Sequence, residues 1–262
     1  MASTAEPGEP SRAELMAVTA AREVADGDVV FVGVGLPNLA VNLALRLHAP
    51  KAQLVYEAGV YGARPSRLPL SIGDPCLVTG AVQVMPMNEC FLYFLQGGRI
   101  DVGFLGAAQI DRFGNLNTTI VGSDYHHPKV RLPGSGGAAE ISWLAKKTVI
   151  LLPQKRNKFP EKLDFRTSVG HLDGGRSREE LGAPGNGPER VITNLGVYGF
   201  DPESREMVLE AIHPGVSLDE VRSEVSWPLR VKEPLASTVV PDANALRLLR
   251  QELDPKSIYL GG

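Results

Sequence analysis

The sequence predicts an α/β fold, an open and mostly parallel sheet covered by helices on both faces, elaborated at its C-terminal end by a hairpin and a helix. Three observations predict it. Short apolar runs at 29–32, 54–56, 100–105 and 148–152 have the length of strands buried on both faces. Helical patterns stand between them, at 37–47 and 138–145. From Arg190 onward the texture changes: strand-like runs at 191–200 and 207–212 flank the turn Asp201-Pro202-Glu203-Ser204, and a helical pattern closes the chain.

A chain of 262 residues can bury a large core, and 43% hydrophobic with 22% charged residues is ordinary for a soluble globular protein. A net charge of -3 offers no electrostatic reason to expect nucleic acid or an anionic membrane as partner. The two cysteines, Cys76 and Cys90, are too few for a disulfide framework or a four-cysteine zinc site and fit a reducing cytoplasm. Residues 1–10 are acidic and proline-rich with no apolar core, so they are expected to form a loose tail, not a signal peptide, ahead of a single domain over 11–262.

Ser11 and Glu14 form a capping-box pattern that opens a helix, with Leu15, Val18, Ala21 and Ala25 on one face and Gly27 as its stop. After the strand at 29–32 comes Gly33-Val34-Gly35-Leu36-Pro37-Asn38, with Pro37 suited to the first helical turn. A dinucleotide fingerprint would need a third glycine where Asn38 stands. Gly33 and Gly35 still let backbone N–H groups approach an anion at a helix start, or simply make a tight turn.

The next strand, Leu54-Val55-Tyr56, ends in Glu57-Ala58-Gly59. Ligands of open α/β sheets bind beyond the carboxyl ends of the strands, which makes Glu57 a candidate nucleophile as well as a plain solvated strand end. Residues 60–75 hold Arg64, Arg67 and four chain breakers, so a long loop over the sheet is expected there, and 88–95 reads as a short aromatic helix stopped by Gly97-Gly98. Beyond the strand at 100–105, Gln109 sits where a polar side chain could face Glu57, and Asp111 through Gly114 carry turn chemistry. His126-His127 raises a metal site, but no spaced Cys/His/carboxylate set completes it, leaving loop scaffolding or substrate contact.

Pro133-Gly134-Ser135-Gly136-Gly137 precedes the helix at 138–145. The N–H groups of such a loop can converge on a developing oxyanion, hold a phosphate, or only turn the chain. The strand at 148–152 ends in Pro153-Gln154-Lys155-Arg156-Asn157-Lys158, whose cations could hold ligand phosphates or a substrate carboxylate. Residues 170–190, rich in glycine and proline, read as an excursion. The last helix is expected over 242–253, with Leu246, Leu249 and Leu253 on one face.

Taken together, Gly33-Val34-Gly35-Leu36-Pro37, Glu57-x-Gly59, Gly106-Ala107-Ala108-Gln109-Ile110-Asp111, Gly114-Asn115, Tyr125-His126-His127-Pro128-Lys129 and Gly134-Ser135-Gly136-Gly137-Ala138 resemble, in this order, the small (β) subunits of class I CoA-transferases. The likeness is greatest to the glutaconate CoA-transferase branch and runs from about Glu14 to Asp254-Pro255. It implies the sheet type shared with ribose-5-phosphate isomerase, an obligate α partner, a site at the α/β interface, coenzyme A as co-substrate and no metal. Glu57 matches the family's catalytic glutamate, and Gly136 and Gly137 its oxyanion loop. Gln109 is a candidate to steady the carboxylate, while Gly33, Gly35, Gly134, Ser135, Lys155 and Arg156 are candidates to hold CoA. The 3-oxoacid branch carries Ser-Glu-Asn-Gly where this chain has Tyr56-Glu57-Ala58-Gly59, which argues against 3-oxoacids. A dicarboxylic ester such as glutaconyl-CoA, as in the glutaconate branch, is the first expectation for the acyl group. Relatives on this scaffold also hydrolyse or decarboxylate CoA esters, at least one such branch without the glutamate. A non-catalytic CoA-ester-binding subunit is the remaining alternative.

Overall fold

The computed structural model describes residues 8–65 and 67–261, so residues 1–7 of the expected tail lie outside the described residues. Helix α1 (Arg12–Ala21) opens on the predicted capping box: the Ser11 hydroxyl accepts from the Glu14 N–H at 3.2 Å, and the Glu14 carboxylate accepts from the Ser11 N–H at 2.7 Å. It ends short of Gly27 because the N–H groups of Arg22, Glu23 and Val24 turn to carbonyls three residues back, leaving Ala25 exposed outside the helix.

Strand β1 (Val29–Phe31), helix α2 (Leu36–Leu47) and strand β2 (Gln53–Tyr56) make the first parallel unit, with Phe31 opposite Val55. The chain then folds back along β2 as β3 (Val60–Tyr61), against which β4 (Gln83–Val84) pairs antiparallel, so the expected loop over 60–75 begins as a strand. Helix α3 (Met87–Glu89) runs into a π-helical segment, Cys90–Gln96, and β5 (Val102–Leu105) follows. The pairs β6 (Gln109–Ile110) with β7 (Leu116–Asn117) and β8 (Ile120–Val121) with β9 (Val130–Arg131) form two small ribbons.

After α4 (Ala138–Leu144) come β10 (Lys147–Leu151), α5 (Ser177–Glu180), β11 (Pro188–Ile192), β12 (Gly196–Phe200), β13 (Met207–Ile212), α6 (Leu218–Ser223), β14 (Arg230–Ser237) and α7 (Ala243–Arg247). The predicted last helix is α7 plus a π-helical turn, Leu248–Leu253, capped by Asp242. The main sheet has ten strands in the order β14-β13-β12-β11-β10-β5-β1-β2-β3-β4, parallel from β11 to β2 and antiparallel at β2-β3-β4 and β11-β12-β13.

The run 191–200, expected as one strand, is split. Thr193 reverses the chain, its hydroxyl accepting from the N–H groups of Leu195 and Gly196, so β11 joins the parallel side while β12 pairs with β13. Helices cover both faces. Val30, Val32, Leu54 and Tyr56 belong to the core under α1, α2 and α7, whereas Phe31 and Val55 belong to the core under Cys90, Ile141 and Trp227. That alternation sends the residue after Tyr56 to the second face.

Candidate active site

Glu57 follows the last residue of β2, at the carboxyl edge of the parallel strands, and is half-buried. Its carboxylate has no hydrogen bond or ion pair among the described residues. What it meets is backbone: a Cβ built on Gly137 would lie 3.3 Å from Glu57 Oε2, and one on Gly136 would lie 3.8 and 3.9 Å from its two oxygens. The glycine loop expected to stabilise an oxyanion is thus brought onto the expected nucleophile from eighty residues away along the chain.

The loop is tethered on one side and unengaged on the other. Gly134 donates its N–H to the Thr118 carbonyl at 2.9 Å and accepts from the Thr118 hydroxyl at 2.8 Å. Gly136 sits at φ +48°, and Gly137 opens α4. Ala138 N–H turns back to the Ser135 carbonyl, and Ile141 N–H to the Gly137 carbonyl. The N–H groups of Gly136 and Gly137 themselves take no acceptor among the described residues, and two unengaged amides beside a carboxylate can receive a developing negative charge.

A second approach fixes the turn after Glu57. Gly59 has φ +97°, its N–H bonds the Tyr56 carbonyl at 2.9 Å, and a Cβ there would lie 1.9 Å from the Met85 carbonyl oxygen. Only glycine tolerates both the sign of φ and that contact. Tyr56 points the other way, buried against α2, where its hydroxyl accepts from Asn38 Nδ2 at 2.8 Å and Asn38 Oδ1 accepts from Asn42 at 2.7 Å. Burial pushes the Tyr56 phenol up to about 12. Asn38, standing where a dinucleotide fingerprint needs glycine, therefore serves the strand that carries Glu57.

Two neighbours were not anticipated from the sequence. Phe91 stacks edge-on against Phe31, with ring centroids 5.6 Å apart, and its Cζ would lie 2.6 Å from a Cβ on Gly137, so an aromatic wall stands beside the carboxylate. The Cys90 thiol is fully buried, and burial, together with the Glu57 charge, pushes it up to about 11, which leaves it protonated and inert. The sequence signal was the aromatic run 91–94. The helix expected there is present but π-helical over Cys90–Gln96, and the aromatic pattern by itself does not say which side chain meets the glycine loop.

The remaining candidates divide. Gly33 and Gly35 lie on the same carboxyl edge, beside Glu57 by the β1–β2 register, and the space above Gly33 is open. Ser135 and Lys155 are exposed, and Lys155 forms no ion pair among the described residues. Three strand spacings, roughly 14 Å, separate the end of β10 from that of β2. Gln109 does not join Glu57: its amide nitrogen donates to Asp164 at 3.0 Å and its oxygen accepts from Asn117 at 2.7 Å, which locks the β6–β7 ribbon to residues 161–164. Arg156 is likewise committed, its guanidinium capping the end of α6 through the Ser223 and Val225 carbonyls at 3.2 and 3.1 Å. His127 pairs with Asp124 at 3.1 Å on the surface, and no three metal-ligating side chains cluster among the described residues.

A family model described as Coenzyme A transferase matches residues 13–224. The chain is 50% identical over 237 residues to the B subunit of 3-oxoadipate CoA-transferase from Pseudomonas knackmussii, covering 90% of this chain and 91% of that one. It is 36% identical over 256 residues to the B subunit of glutaconate CoA-transferase from Acidaminococcus fermentans, covering 94% of each. The crystal structure of that glutaconate enzyme superposes with a TM-score of 0.87 at 34% identity over 96% of this chain and 97% of that one. The decarboxylase AibA/AibB superposes with a TM-score of 0.82 at 27% identity, over 95% and 97% of the two chains.

Proposed function

The chain belongs to the Coenzyme A transferase family, and from that premise we propose that it is the B-type subunit of a heteromeric enzyme that moves CoA from an acyl-CoA to a carboxylic acid through Glu57. The observation that carries this reading is the Glu57 carboxylate lying against Gly136 and Gly137, with no protein partner of its own among the described residues.

A carboxylate free of partners is available to attack. Glu57 adds to the thioester carbonyl, the oxyanion forms beside the Gly136 and Gly137 amides, and the C–S bond breaks to give an acyl-glutamyl anhydride and CoA thiolate. The thiolate then attacks the glutamyl carbonyl, giving a glutamyl-CoA thioester and the free acid. An acceptor carboxylate reverses both steps. Phe91 supplies an apolar wall that limits water at the anhydride. CoA lies along the carboxyl edge near Gly33, Gly35, Gly134 and Ser135, with Lys155 at its far end.

The acid is dicarboxylic. The relatives at 50% and 36% identity are named for 3-oxoadipate and glutaconate, both dicarboxylates. The Tyr56-Glu57-Ala58-Gly59 motif pointed away from 3-oxoacids, yet the relative at 50% identity is named for one, and the higher identity makes 3-oxoadipate the acceptor to test first. Both relatives are B subunits, and a second polypeptide suits the surface beside Glu57, where Val82, Val84, Met87, Leu92 and Tyr93 are exposed.

Initial rates of the two-subunit complex with acyl-CoA and acceptor varied together test the route. Parallel double-reciprocal lines, and loss of turnover in Glu57→Gln, are expected; an acyl-CoA consumption that ignores the acceptor supports instead a hydrolase or decarboxylase, the reading that the AibA/AibB likeness favours.

A further inference from the structure

Across the sheet from Glu57, at the amino ends of β10 and β11 where Thr148 pairs with Pro188, the chain forms an open polar cavity of about 400 Å³. Three arginines line it, Arg178 from α5, Arg190 from β11 and Arg205 from the β12–β13 turn. Arg178 is 7% exposed, yet its guanidinium donates only to carbonyls, those of Gly170 at 2.8 Å, Gly185 at 3.0 Å, Ser142 at 3.2 Å and Trp143 at 3.3 Å. No carboxylate pairs with it among the described residues, although buried charges ordinarily require an opposite charge.

Arg205 adds a second uncompensated cation. Its side chain forms no hydrogen bond or ion pair among the described residues, and its backbone is held at φ +60°, a conformation that glycine adopts more cheaply. His171, buried on the same wall with one ring nitrogen on the Pro188 carbonyl at 2.9 Å, has its pKa pushed down to about 4 by burial and then by Arg205 and Arg178. The two carboxylates of the lining are already engaged, Glu179 with Arg176 at 2.9 Å and Glu189 with Lys147 at 3.7 Å, and Arg190 is shared by Glu23 and Glu210.

We propose that this cavity binds a small multivalent oxyanion of the phosphate class, held by Arg205 above the buried guanidinium of Arg178. With Arg190 held by Glu23 and Glu210, the cations without a carboxylate, Arg178 on α5 and Arg205 on the β12–β13 turn, reach the cavity from two separate elements, which suits a tetrahedral anion approached from more than one side better than a planar carboxylate met by a single fork. The site stands apart from Glu57: β11 and β2 are four strand spacings apart, roughly 19 Å, and the cavity opens at the opposite strand ends.

Calorimetric titration of the full-length chain in complex with its partner subunit, using inorganic phosphate at fixed ionic strength, tests the assignment. Saturable one-site binding is expected, weakened at least tenfold in Arg205→Gly and in Arg205→Asn, both of which suit the backbone at that position. Glu57→Gln is expected to bind phosphate as the parent does. Absence of saturable binding, undiminished affinity in both Arg205 variants, or loss of binding in Glu57→Gln each overturns it.

Discussion

At position 137 there is no room for a methyl group. An alanine Cβ would press on Phe91 Cζ at 2.6 Å and on Glu57 Oε2 at 3.3 Å, so one of the two must move. Gly137→Ala keeps its backbone N–H but shifts the carboxylate or the ring beside it, and is expected to lower kcat by roughly 100-fold, the order that a misplacement of about 1 Å can cost, with a much smaller effect on melting temperature. Steady-state kinetics beside a thermal melt separate the two effects. The candidate nucleophile was legible because a carboxylate that ends an apolar run declares itself at a strand end. Gln109 and Arg156 misled for the same reason: each stands at a strand end, but its partners, Asp164 in one case and the Ser223 and Val225 carbonyls in the other, come from segments whose return to that edge no local pattern records.

Among the elements, the turn from β2 to β3 is the least tolerant. Gly59→Ala would set a Cβ against the Met85 carbonyl at a φ of +97°, and a loss of about 3 kcal/mol or more in unfolding free energy is expected from strain and overlap together. Urea titration checks it. Helix α1 supplies a pH-dependent contact. Burial alone would raise the Glu14 carboxyl, but hydrogen bonds from Arg250 and from Ser11 outweigh it and hold the group below its usual 4.5. A depressed folded-state pKa means stability that is present above pH 4.5 and lost as pH falls through the folded value. The parent should exceed Glu14→Gln by about 1 kcal/mol near neutrality, with the gap closing on acidification; a gap constant from about pH 7 to about pH 3 would contradict the assignment. The capping box was legible because its two residues are three apart. Strand β14 was not, since it is held by pairing with β13 and its residues are mostly exposed; helix α6 carries the same spacing in Ser217 and Glu220, a signal the sequence reading passed over.

Across the whole molecule, strict alternation along β1 and β2 divides the core between two faces and aims Glu57 at the face that carries α4 and the π-helical segment. That division follows from the period of a strand, so the parallel centre of the sheet could be foreseen. The ten-strand order could not, because β4 and β14 are joined to their neighbours across some twenty residues of intervening chain. The β4 edge, with Val84 63% exposed, is the natural ground for the partner polypeptide. Val84→Asp should weaken co-purification of the two subunits while leaving the melting temperature of the isolated chain unchanged; undisturbed assembly would place the partner elsewhere. The most direct measurement is covalent. The two-subunit complex is incubated with acyl-CoA, treated with borohydride or hydroxylamine, and its peptides are weighed. A substrate-dependent mass change confined to the peptide of Glu57, with parallel loss of activity, is the predicted result; an unmodified Glu57, or full turnover by Glu57→Ala, contradicts the account.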